Sequence, residues 1–201
     1  MGARGEKEMK VDKKKIEIAV RMILEALNED LNREGLRDTP RRVADMYEEI
    51  FSGYNINSEL NVVFMESSDL VIARGIRFYS ICEHHLLPFF GFVNIAYIPN
   101  GKVLGISKLA KLINKYAQRL QLQERMTNQI ADELYSSEAR PLGVIVLTTA
   151  KHTCMMMRGV RTSATIVALA VRGVFSKESQ LRHEVLTLLM NSESDNEHLM
   201  L

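Results

Sequence analysis

The stretch SICEHHLLPFFGFVNIAYIPNG, residues 80–101, decides the fold and poses the chemical question. It closes one run rich in Val, Ile, Phe and Tyr, residues 70–81, and opens another, residues 89–98. That composition suits half-buried, pleated strands. Pro99-Asn100-Gly101 marks a turn after the second run. Between the runs lies CEHH, residues 82–85, a thiol and two adjacent imidazoles. A turn ahead of Leu86-Leu87-Pro88 could bring Cys82 and His85 to one point.

Downstream, Ser107 is placed to cap a helix with the stripe Leu109, Leu112, Ile113, Tyr116 and Leu120. A second helix carries Met126, Ile130 and Leu134. Pro141 and Gly143 then introduce the extended segment GVIVLTTAKHTCMMM, residues 143–157. SATIVALAVRGVF, residues 163–175, is a further strand, and a last helix would bury Leu181, Val185, Leu188 and Leu189. Upstream, residues 60–66 read as another strand. Ile16, Val20, Ile23, Leu24, Leu27 and Leu31 follow helical spacing toward a stop at Gly35. Thr39-Pro40 is a cap and first-turn signal for a helix burying Val43, Met46, Tyr47 and Ile50.

The order predicts an α+β chain whose centre is two strands, two helices and two strands. That is an antiparallel four-stranded sheet with two helices on one face and the other face uncovered. The expected divisions are a charged, disordered tail over 1–14, an N-terminal helical lobe over 15–58, a sheet domain over 59–191 and a flexible tail over 192–201. Open sheet edges favour association of subunits.

Bulk properties narrow the function. Lys and Arg total 26 against 25 Asp and Glu, a net charge of +1, which gives no support for a nucleic-acid partner. No apolar run reaches the ~18 residues of a membrane span. MGARGEKEMK is not followed by the apolar core of a secretory signal, so the expected compartment is the cytoplasm. There disulfides are rare.

The chain holds two cysteines, Cys82 and Cys154, and both sit beside histidines. A disulfide, two inert thiols or a metal would each account for the pair. In an extended segment His152 and Cys154 would face one side, with Arg158 following if no bulge intervenes. Cys-x2-His plus a distant Cys offers three soft or borderline donors, a set suited to zinc. Three protein donors leave a fourth position for water, and His84 or His152 could otherwise fill it. Spacing alone leaves His84 and His85 as alternative ligands.

SICEHHLLPFFG, VNIAYIPNGKVLGISKLAKL, AQRLQLQERMTNQI, KHTCMMMRGV and RHEVLTLL together, over about residues 35–190, resemble GTP cyclohydrolase I. The resemblance implies the tunnelling fold, in which barrels form by association of subunits. It also implies a homodecamer of two pentamers with sites between subunits. It implies conversion of GTP and water to 7,8-dihydroneopterin triphosphate and formate, at the entry to folate or other pterin synthesis. By the resemblance Cys82, His85 and Cys154 hold Zn2+, and His84 and His152 are general acid–base groups. Glu124 recognises guanine with Gln123 beside it. Ser107, Lys108, Lys111 and Arg158 face the triphosphate, and Arg42 reaches a phosphate in a neighbouring subunit's site.

Each residue type has a chemical reason. Histidine, with an unperturbed pKa of ~6.5, suits proton traffic as the imidazole ring of guanine opens. A carboxylate accepts two parallel N–H bonds from guanine, which adenine does not offer. Without the resemblance Glu124 would be an ordinary helix-start residue and each cation a solvated one. Met155, Met156 and Met157 read as core filling. Two departures stand out: Lys111 replaces the family's usual Arg, losing a bidentate phosphate fork, and SATIVALAV is more apolar than the family's threonine-rich strand. A sister enzyme on another purine or pterin would fit Glu124 but not the paired ligand motifs. A purely structural zinc module would not require both His84 and His152.

Overall fold

The computed structural model describes residues 10–56, 60, 63–66 and 68–190. Positions 1–9 of the expected N-terminal tail, the C-terminal tail, and residues 61 and 62 of the expected strand lie outside them. The chain divides into two compact units, Met1–Asn55 and Ile56–Leu201.

In the first unit, helix α1 spans Lys13–Ala26, with the Asp12 carboxylate accepting from the Lys15 amide at 3.1 Å. It ends well before Gly35. Asn28 adopts a left-handed φ of 58°. Its N–H donates to Glu25 O, and that of Glu29 to Leu24 O, which caps the last turn. Asn is one of the few residues to take that conformation readily, so the local stop overrides a stripe that continues to Leu31. Helix α2 spans Thr39–Ile50 with Pro40 in its first turn. Asp38, not Thr39, is the cap residue; the Thr39 hydroxyl donates instead to Gly35 O at 3.2 Å. Lys13 bridges Asp45 at 2.7 Å and Glu48 at 3.0 Å, joining the two helices.

The second unit is built on a sheet. Strands β2 (Val71–Cys82), β3 (Pro88–Ile98), β6 (Gly143–His152) and β7 (Ile166–Gly173) pair antiparallel in that order. A two-residue strand β5 (Leu120–Gln121) adds to β2 in parallel, so the sheet is mixed and five-stranded rather than four-stranded and purely antiparallel. The strand expected over 60–66 is reduced among described residues to β1 (Val63–Phe64). It pairs with β4 (Val103–Leu104) in a separate ribbon. Within β2 the register shifts by a bulge between Ala73 and Ile76. Gly75 there has a φ of 69°, and its N–H donates to the buried Asn94 side chain at 2.7 Å. A bulge at glycine with its freed amide satisfied costs little.

Helices α3 (Ile106–Ala117) and α4 (Gln123–Tyr135) cover one face. Leu109, Leu112, Ile113, Met126, Ile130 and Leu134 pack there against Phe78, Val93, Ile95 and Val146. These helix positions recur every three or four residues, as an amphipathic stripe must. The opposite face is not bare. After β7 a short helix α6 (Val174–Lys177) leads into α7 (Ser179–Met190). Phe175, Val185 and Leu189 form a second core with Ala96, Ile145 and Leu147. Leu188, expected in that core, is half exposed. Tyr79, Val167 and Leu169 on the same sheet face remain exposed.

Gly91, paired with Ala150, leaves no room for a side chain beside β6: a Cβ there would lie 1.8 Å from Thr149 O. Neither strand can retreat without breaking a central ladder. Gly91→Ala is expected to destabilise the fold by about 3 kcal/mol or more, read as a lowered denaturation midpoint.

Candidate active site

Cys82 is the last residue of β2, and the chain turns back at once into β3. The Cys82 N–H donates to Leu87 O at 2.8 Å and the Leu86 N–H to Cys82 O at 2.9 Å. Leu86 takes a left-handed φ of 55°, unfavourable for a branched side chain and held by this closed turn. The turn returns His85 toward Cys82. On the other side, β6 ends at His152, and Thr153–Met156 form a single helical turn, α5. The Thr153 hydroxyl donates to Pro88 O at 2.6 Å, fastening α5 to the start of β3. Cys154 therefore reaches the site from a helical turn, not by the strand alternation expected from sequence.

The donor atoms of Cys82, His85 and Cys154 all lie within 4.8 Å of one another. His85 rather than His84 belongs to this group; the two rings stand edge to face with centroids 6.2 Å apart. Both cysteines are free thiols, so the disulfide alternative does not hold. Burial pushes the Cys154 thiol above its usual range, and Cys82 beside it adds to the rise. Two adjacent thiolates repel each other and a divalent cation removes that repulsion, so the donor set fits zinc.

The start of α4 is brought to this place by β5, where Gln121 pairs with Cys82 and accepts from the Glu83 N–H at 3.2 Å. Arg125 forms a two-pronged ion pair with Glu83, at 2.6 and 3.0 Å, and holds that carboxyl below its usual range. Glu124 is exposed in the first turn of α4. Its charge acts on His152, opposing the larger effect of burial, which lowers the His152 pKa. The His152 ring stacks on Phe89 at 4.6 Å, almost parallel. Gln123 is only 1% exposed, and its side chain turns inward: Nε2 donates to Thr148 and Ile166, and Oε1 lies 2.9 Å from His152 Nε2. Its side chain thus does not stand beside Glu124 in the open. Glu83, Arg125, Phe89 and Thr148 support the site without having been singled out in the sequence. Arg125 lies within the QER motif, the one signal that could have drawn attention to it.

The expected phosphate contacts lie on two elements of this unit. Ser107, Lys108 and Lys111 occupy the first turns of α3. Gly105 is the cap residue, so Ser107 does not cap the helix as expected. Ser107 and Lys111 are exposed. Arg158 is exposed just beyond α5 and close enough to Cys154 to lower its pKa against the other influences. Arg42 belongs to the first unit, exposed on α2 and 3.6 Å from Asp38. The Met155–Met157 run does not fill the core; Met157 is 65% exposed.

Three thiol and imidazole donors, with further histidines and a carboxylate nearby, make a group that could hold a metal ion and that has the donor count of catalytic rather than structural zinc centres. The family model described as GTP cyclohydrolase I matches residues 16–190. The GTP cyclohydrolase 1 of Hyperthermus butylicus is 57% identical over 181 residues, covering 90% of this chain and 93% of that protein. That of Desulforamulus reducens is 53% identical over 186 residues, covering 90% and 99%. That of Carboxydothermus hydrogenoformans is 52% identical over 185 residues, covering 89% and 95%. The chain belongs to the GTP cyclohydrolase I family.

A thiol with a raised pKa is protonated at neutral pH, whereas metals bind thiolate. Zinc uptake is therefore expected to release protons and to tighten as pH rises. Calorimetric titration in buffers of different ionisation enthalpy counts those protons. Cys154→Ser is expected to weaken zinc by more than the ~10–100-fold typical of outer-shell partners.

Proposed function

We propose that this chain is a zinc-dependent GTP cyclohydrolase, a hydrolase that converts GTP and water to 7,8-dihydroneopterin triphosphate and formate. That reaction opens tetrahydrofolate and other pterin synthesis. One observation carries the reading: Cys82, His85 and Cys154 meet beside His152 in a chain whose GTP cyclohydrolase 1 relatives match about nine-tenths of its length. Among described residues no helix is long and apolar enough to cross a membrane. A cytoplasmic setting suits a centre built on two reduced thiols.

Cys82, His85 and Cys154 would hold the zinc, which when bound supplies the Lewis acidity that makes water nucleophilic near neutral pH. The remaining work falls to side chains. Glu124, exposed at the start of α4, accepts the guanine ring N–H and amino hydrogens and so sets the base's orientation. His84 and His152 carry protons to and from the ring nitrogens as the imidazole ring opens and formate leaves. Ser107, Lys108, Lys111 and Arg158 receive the triphosphate, and Arg42 serves a phosphate in a neighbouring subunit's site. The exposed Tyr79, Val167 and Leu169 and the open edge of β7 support association through the sheet. The assembly we infer is the tunnelling-fold barrel, a decamer of two pentamers.

The decisive experiment incubates purified protein with GTP and follows formate and pterin, before and after zinc is stripped and restored. Both products are expected, lost on stripping and regained with zinc. A folded, zinc-loaded sample that leaves GTP intact would overturn the reading. Glu124→Gln is expected to lose about 10–100-fold in kcat/KM while zinc content stays unchanged, because hydrogen bonds to a charged acceptor contribute ~1.5–3 kcal/mol. Lys111→Arg is expected to lower KM for GTP severalfold at constant kcat, by restoring a planar fork to a phosphate. Steady-state kinetics with metal analysis reads both.

A further inference from the structure

The side chain of Gln123 has two ends with unequal surroundings. One faces Thr148 O at 3.1 Å, Thr148 Oγ1 at 3.1 Å and Ile166 O at 3.0 Å. Backbone carbonyls cannot donate, so this end must be the amide nitrogen. The hydroxyls agree. Thr127 Oγ1 donates its one hydrogen to Gln123 O at 2.7 Å. In the 2.8 Å contact between the two threonines, Thr148 must therefore be the donor, and its oxygen is left to accept from Gln123. A flipped amide would set oxygen against two carbonyls at a site 1% exposed, which nothing could relieve.

The other end is then an oxygen, and it lies 2.9 Å from His152 Nε2. An acceptor there requires Nε2 to carry hydrogen. Stacking on Phe89, at 4.6 Å and 4° between planes, fixes the ring's plane, and a flip within that plane would set carbon Cε1 against the Gln123 oxygen and lose the hydrogen bond.

We propose that Gln123 is a positioning residue that orients the His152 ring and holds it in the Nε2–H tautomer, leaving Nδ1 as the ring nitrogen with the free lone pair. This rests on the acid–base role proposed above for His152. It moves Gln123 from contact with the base to control of the histidine. The inward chain of Gln123, Thr148 and Thr127 belongs to α4 and β6, so the orientation is set by rigid elements rather than by a loop.

The test uses the zinc-loaded full-length protein with ¹³C,¹⁵N-labelled histidine, read by solid-state NMR, with His152 assigned by difference from His152→Asn. The expected neutral-state spectrum shows hydrogen on Nε2 and a bare Nδ1. Hydrogen on Nδ1 with a bare Nε2 would overturn the proposal without any variant. In Gln123→Met a mixture of tautomers is expected, with kcat down about 10–100-fold and KM within about threefold. A folded Gln123→Met that keeps the pure Nε2–H form would also overturn it. Should the Met variant not fold, the native protein's own spectrum decides the matter. Native turnover by His152→Ala would instead sink the acid–base role, and with it the catalytic half of the proposal, while the tautomer remains readable.

Discussion

Two residues of parallel pairing, Leu120–Gln121 against Ile81–Cys82, hold the site together. This contact fixes where α4 begins, and α4 begins with Gln123, Glu124 and Arg125. Gln123 reaches down to β6, Glu124 stays in solvent and Arg125 crosses to Glu83. Three consecutive residues thereby serve the sheet, the open face and the turn between β2 and β3. Helical geometry spreads them about 100° apart, so one anchored start directs all three. Gln121 is buried to match, its amide donating to Tyr116 O and Gln129 Oε1.

Much of the fold was legible because burial dictates period. The long strands and the stripes of α3 and α4 match their apolar spacing, except that Leu120 falls past the end of α3 in β5, and a continuous buried run such as Val144–Leu147 marks a central strand. What escaped was set by single backbone conformations or by contacts distant in sequence. The end of α1 depends on one left-handed Asn. The turn that carries Cys154 interrupts a segment whose composition remains strand-like. β5 is too short to leave a pattern, and α7's place over the second face follows from three-dimensional packing alone.

The site divides the same way. Cys82, His85 and Cys154 stood out as scarce residue types in clusters, and the choice between His84 and His85 needed the turn's geometry. Family resemblance supplied roles for Glu124 and the cations, which spacing could not. The inward commitment of Gln123 was invisible, because its partners lie 25 and 43 residues away and two of them are backbone atoms. A glutamine next to a glutamate proposed to read the substrate looks like a second reader until its hydrogen bonds are traced.

The bulge at Gly75 bears on the Cys82–His85–Cys154 group although it lies in the other half of β2. Upstream of it, odd-numbered residues such as Val71 and Ala73 face the α3–α4 layer; downstream, even-numbered Phe78 and Cys82 do. The extra residue shifts the strand's phase by one. A β2 of this sequence that ran past Gly75 without bulging would slip by one residue against β3 downstream, and the Cys82 thiol would turn to the opposite side of the sheet. The protein thus stores the side of the sheet on which its thiols and imidazole gather as a parity, set several residues away by a glycine that touches none of them.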